Sequence, residues 1–155
     1  MLKPMLALAT LVALAAPASA ETVLILAGHV ITDASKPMRG PSTITVTDGR
    51  ITAIIDGLAR AGPGTRVIDL SAKTVLPGLI DVHVHLTGDP GGDFRNEAVD
   101  STESTVVTGA KNARITALAG FTTVRDLGSA PLAGFALRNG TAKGFIPGPR
   151  ILSAG

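Results

Sequence analysis

His83 and His85 stand one residue apart in the run Leu76-Pro77-Gly78-Leu79-Ile80-Asp81-Val82-His83-Val84-His85-Leu86. Apolar and polar residues alternate along it with a period of two, the pattern of a β-strand. Ile80, Val82, Val84 and Leu86 fall on one face, expected to be buried; Asp81, His83 and His85 fall on the other. Two imidazoles at i and i+2 project side by side, close enough to converge on one divalent cation. Neutral imidazole is the commonest ligand for zinc-class metals. His83 and His85 are therefore the candidate metal ligands, with zinc the expected ion. An isolated His-x-His is a weak motif and also occurs as an ordinary pair of strand histidines. The Pro-Gly entry, the apolar opposite face and the nearby carboxylate favour the metal. Asp81 has two readings: it orients an imidazole N–H from behind, or it bonds neighbouring backbone.

The elements that must hold this pair alternate from Pro77 onward. The strand Leu79–Leu86 leads into a Gly/Pro/Asp-rich loop over Thr87–Asp93. Val106, Ala110, Ala113 and Ala117 recur at helical spacing, which predicts a helix over Ser104–Ala119 stopped at Gly120. A second strand follows over Phe121–Leu127, then a helix over Pro131–Lys143 ended by Gly144 and Pro147, then a third strand over Arg150–Ala154. Strands separated by helices of this length are βαβ units with a parallel sheet. Asp126 ends the second strand at the same rim as the histidines, either beside the site or anchoring its loop. Asp93, Arg95, Glu97 and Asp100, on the loop Thr87–Glu103, either meet substrate or lie in solvent.

Upstream, Glu21–Val75 reads as a small all-β segment. An apolar run covers Thr22–Thr32, and Ile44–Thr47 and Ile51–Ile55 flank Asp48-Gly49, a strong hairpin signal. Lys36–Pro41 reads as a loop, Ala61–Gly64 as a turn and Arg66–Leu70 as a strand. His29, beside Gly28, reads as an ordinary surface or turn histidine.

The first twenty residues read as a targeting signal. Lys3 supplies a short basic region, Met5–Ala16 an apolar one, and Ala18-Ser19-Ala20 the small residues of a cleavage site. Cleavage after Ala20 predicts a secreted or periplasmic protein without a stable membrane anchor, the apolar stretch being short for a bilayer. The formal net charge is only +2, with no basic stripe, which argues against nucleic acid as partner. There is no cysteine, so a metal must be held by His, Asp, Glu or a modified Lys. There is no Trp or Tyr to stack on bases or sugars.

Pro77-Gly78-Leu79-Ile80-Asp81-Val82-His83-Val84-His85 resembles the first barrel strand of the amidohydrolase superfamily. Gly120-Phe121-Thr122-Thr123-Val124-Arg125-Asp126-Leu127-Gly128 resembles its second, and Gly148-Pro149-Arg150-Ile151-Leu152-Ser153-Ala154-Gly155 its third. Together they resemble the branch holding imidazolonepropionase-like proteins, Xaa-Pro dipeptidases and related metallo-carboxypeptidases. The resemblance implies an α/β fold: the N-terminal part of a metal-dependent (β/α)8 barrel preceded by a small β-sandwich. The boundaries are then 1–20 for the signal, 21–75 for the sandwich segment and 76–155 for the first three strands and two helices of the barrel. A full barrel takes about 250 residues, so it would be incomplete here and would need its remainder or an oligomer. The resemblance also implies one or two divalent ions, the more buried of them held by His83 and His85, and hydrolysis of an amide or peptide C–N bond in a small-molecule or dipeptide substrate. The family's other ligands are a carboxylated lysine or glutamate after strand four and histidines after strands five and six. An aspartate after strand eight serves as general base. None of those strands lies within this sequence, so no catalytic residue is assigned. Two alternatives stay open: a truncated, inactive fragment, or an exported binding module whose His-x-His is incidental.

Overall fold

The computed structural model describes residues 21–93, 95 and 99–154; the expected signal Met1–Ala20, Glu97 and Gly155 lie outside them. The chain divides into two compact units between Leu76 and Pro77.

The first unit is a four-stranded sheet of β1 (Thr22–Val30), β2 (Ser42–Thr47), β3 (Arg50–Asp56) and β4 (Arg66–Val75), in the order β3-β2-β1-β4. β1–β2 and β2–β3 are antiparallel, and β1–β4 is parallel. The β2–β3 hairpin turns on Asp48 and Gly49, both at positive φ (49° and 74°), the geometry whose twist matches the flanking strands. Ala27, Val30 and Ile44 are its buried core, with Ile25, Val46, Ile54 and Val75 against them. β4 runs on to Val75, past the expected end at Leu70. Its register with β1 shifts opposite Gly28, from Ala27↔Leu70 to His29↔Thr74. A side chain at Gly28 would collide with the Ser71 carbonyl, so the chains approach there only because position 28 is glycine. His29 is exposed.

The second unit runs β5 (Leu79–Val84), α1 (Thr102–Leu118), β6 (Phe121–Asp126), α2 (Ala133–Ala142) and β7 (Arg150–Ser153). The sheet is parallel, in the order β5-β6-β7. Leu86, Ala113, Val124, Leu137 and Ile151 form the buried core, flanked by Val84, Val106, Ala110, Phe121 and Ile146. α1 starts two residues before the expected Ser104, because the Ser101 hydroxyl caps it by accepting from the Ser104 N–H at 3.2 Å. Its buried residues are Thr105, Gly109 and Ala113. The contact stripe is thus rotated from the expected one toward small residues. The reason is the close approach of α2: a Cβ on Gly109 would collide with Leu137 Cδ1. α2 starts two residues after Pro131, since Leu132 is held at φ 66° and cannot be helical. The Ser129 hydroxyl accepts from the Gly134 N–H at 2.9 Å in the helix's first turn.

β5 departs from strict alternation. Its register with β6 shifts between Leu79 and Ile80 and again between Asp81 and Val84. Ile80 and Val82, expected to be buried, are 66% and 65% exposed, outside the core cluster of this unit. Val84 and Leu86, at the far end of the same run, do reach the core.

Candidate metal centre

Parallel βα units gather the C-terminal ends of their strands on one side, where loops are free to carry chemistry. His83 lies near the C-terminal end of β5 and His85 just past it. Their rings are adjacent, with centroids 5.3 Å apart and planes inclined at 67°. Both are exposed at this rim.

His85 is held by its neighbour loop. Its Nδ1 lies 2.9 Å from the carbonyl oxygen of Gly128, in the turn after β6. A carbonyl can only accept, so Nδ1 carries the proton, and in the neutral ring the lone pair sits on Nε2. That is the arrangement that metal-binding histidines adopt, one nitrogen donating to a carbonyl and the other free to ligate. No hydrogen bond to the His83 ring is found among the described residues. Neutral imidazole is a common ligand of zinc-class ions; the described residues contain no group of three or more His, Cys, Asp or Glu that could hold one.

Asp81 settles between its two readings. Its Oδ1 accepts from the backbone N–H of His83 at 3.0 Å, and among the described residues no imidazole N–H bonds it. The carboxylate thus takes up a strand N–H within the stretch where the β5–β6 register shifts. Asp126 is fully buried at the end of β6. Its Oδ1 accepts from the Gly128 N–H at 3.1 Å and its Oδ2 from the Leu86 N–H at 3.4 Å. Asp93 and Asp100 are exposed, as is Arg95, whose N–H donates to Asp93 Oδ1 at 2.9 Å.

Residues that sequence reasoning missed hold the loop after His85. Asn112 Nδ2 donates to the carbonyls of Leu86 and Gly88, both at 2.9 Å, and approaches Asp89 Oδ1 at 3.2 Å. Lys111 Nζ pairs with both oxygens of Asp89, at 2.7 and 2.8 Å. The Lys111 hydrogen bond, and after it that of Asn112, holds the Asp89 carboxyl below its ordinary value of 3.8. The only hint in the sequence was their place off the apolar stripe of the helix. A cleft of about 370 Å³ opens beside His85, lined by Thr87, Gly88, Thr105, Gly128, Ser129 and Ala130. A hollow of about 430 Å³ at the start of β7, lined by Arg138, Thr141 and Arg150 among others, is far from the histidines in the topology and holds no ligand-type cluster.

The chain is 39% identical over 87 residues to a dihydroorotase of Trichlorobacter lovleyi, covering 56% of this chain and 20% of that protein. It is 41% identical over 75 residues to an allantoinase of Enterococcus faecalis, covering 48% of this chain and 13% of that protein. Among solved structures it is similar to a Xaa-Pro dipeptidase with methionine bound in its active site, at a TM-score of 0.80 and 32% identity, covering 86% of this chain and 33% of that one. It is also similar to molinate hydrolase, at a TM-score of 0.71 and 30% identity, covering 88% and 30%. The chain thus spans about a fifth of the first curated relative and about a third of these solved chains. The second unit is the front of a (β/α)8 barrel, incomplete in this sequence. A model of the amidohydrolase family matches residues 74–155, the whole of that unit, and the chain belongs to the amidohydrolase family.

Proposed function

We propose that this chain is the N-terminal segment of an exported, metal-dependent amidohydrolase that hydrolyses an amide or peptide C–N bond. The observation that carries the reading is the adjacent His83 and His85 rings, with His85 Nδ1 committed to the Gly128 carbonyl and Nε2 left free. His83 and His85 would hold the ion, with zinc, which imidazole commonly ligates, the proposed metal. The chemistry such an ion supplies is a water of lowered pKa and polarisation of the carbonyl under attack. This chain's own residues do the rest of what it contributes. The Gly128 carbonyl orients one ligand ring, and the anchored turn after β5 forms one wall of the cleft. A dipeptide-like substrate is supported by the likeness to a Xaa-Pro dipeptidase and by the signal-like Met1–Ala20, which also supports export to the periplasm or beyond.

A second reading, an inactive fragment, is favoured by one observation: no third ligand joins the pair among the described residues. Two measurements separate the readings. The intact mass of the native polypeptide, captured through an antibody to this segment, is expected to lie far above 15.6 kDa. That native protein is then expected to bind Zn²⁺ and hydrolyse Xaa-Pro dipeptides, and to lose metal when His83→Ala or His85→Ala is introduced. A mass at or below 15.6 kDa, or unchanged metal content in both variants, refutes the proposed enzyme.

A further inference from the structure

The buried carboxylate of Asp126 is not explained by the metal ligands themselves. It is fully inaccessible, and no ion pair to it is found among the described residues. Both of its oxygens instead meet backbone N–H groups, and both of those belong to turns that touch His85. Oδ2 takes the N–H of Leu86, the residue directly after His85. Oδ1 takes the N–H of Gly128, whose carbonyl receives His85 Nδ1. On the other side of His85, the Val84 carbonyl accepts from the Leu127 N–H at 3.1 Å. Asp126 is itself fixed from the residue after β7, its carbonyl accepting from the Ala154 N–H at 2.9 Å.

We propose that Asp126 is a positioning residue for His85: its carboxylate braces the turns after β5 and β6 so that the Gly128 carbonyl locks the ring as the Nδ1–H tautomer with Nε2 free. The chemistry requires a carboxylate. Only that group at this length offers an acceptor oxygen to each of two N–H donors; an amide of the same shape offers one oxygen and turns an NH₂ toward the other donor. The Nδ1–H form is the minor tautomer of an unconstrained imidazole, so its presence reports the constraint. The use of this brace depends on His85 being a ligand, as proposed above. The tautomer does not, and it is measured without metal, so the two ideas fail separately.

The test is a long-range ¹H–¹⁵N correlation spectrum of the full chain labelled at histidine, at a pH where the rings are neutral. Single alanine variants at His29, His83 and His85 assign the signals that belong to this segment. His85 is expected as Nδ1–H in the wild type. In Asp126→Asn it is expected to become a mixture of tautomers, with the His29 signals and the far-ultraviolet circular dichroism unchanged. Co²⁺ affinity of the same variant is expected to fall about 10- to 100-fold. If Asp126→Asn does not fold, Asp126→Ser, which keeps a single acceptor, takes its place. A wild-type His85 in the Nε2–H form overturns the proposal. So does a folded Asp126 variant in which His85 keeps the wild-type tautomer.

Discussion

Replacing Asn112 with alanine is expected to loosen the turn that follows His85 without disturbing the sheet beneath it. The Asn112 amide has two N–H groups, and its two shortest contacts, both 2.9 Å, are to the carbonyls of Leu86 and Gly88. The 3.2 Å approach to Asp89 Oδ1 shares one of those hydrogens. A neutral hydrogen bond contributes about 1 kcal/mol net. Losing two therefore costs about 2 kcal/mol, a factor of about 30 in the local opening equilibrium. Asn112→Asp should cost more. It sets acceptor oxygens against two carbonyls and beside the Asp89 carboxylate, a conflict that Lys111 offsets only in part. The assay is native-state hydrogen exchange of the Leu86 amide, which is buried and bonded to Asp126. Expected is a rise of about 30-fold in its exchange rate for alanine and a larger one for aspartate, with β1–β3 amides unchanged. A rise below about threefold for alanine, or equal effects of the two substitutions, would refute the donor role given to this amide.

Two further outcomes follow from the packing and the charges. Gly109→Ala gains about 1 kcal/mol of helix propensity but drives a methyl into Leu137, a fully buried side chain with nowhere to move; overpacking of this kind costs about 1–3 kcal/mol. The net is destabilisation of the second unit, read as a lower denaturant midpoint, and Leu137→Val should restore part of it in the double variant; additive effects would contradict the contact. Asp89 has its carboxyl held below 3.8 in the fold, so its contribution is full above that value and is lost as pH falls through the lowered one. Protection of the Leu86–Asp89 turn should therefore be flat near neutrality and decline only below about pH 4, and Lys111→Met should weaken the protection and reduce that decline; a decline already present near neutrality would assign the effect to another group.

The parallel βαβαβ series was legible because its signals are local. β-branched runs, helix-period stripes and the glycines at positions 120 and 144 mark each element without knowledge of its neighbours. The hairpin at Asp48-Gly49 was legible for the same reason, a two-residue turn needing positive φ at both positions. The errors fall where partners decide. The buried face of α1 is Thr105, Gly109 and Ala113 because α2 comes close enough to exclude larger side chains. β4 continues to Val75 because β1 offers it a partner past the register shift at Gly28.

At the candidate site, residue type and spacing predicted that the His83 and His85 rings lie side by side, as they do, because residues two apart on a strand share a face. Sequence alone could not tell which nitrogen of His85 is free, since that depends on a carbonyl 43 residues away. Nor could it choose between the two readings of Asp81, whose carboxylate turned to the His83 backbone, or pick out Asn112, whose acceptors lie more than 20 residues upstream. Local periodicity fixes which residues share a strand or a helix face. Only the folded chain brings backbone carbonyls and N–H groups from separate turns to those side chains, and hydrogen bonds of under about 3.5 Å cannot be drawn until it does.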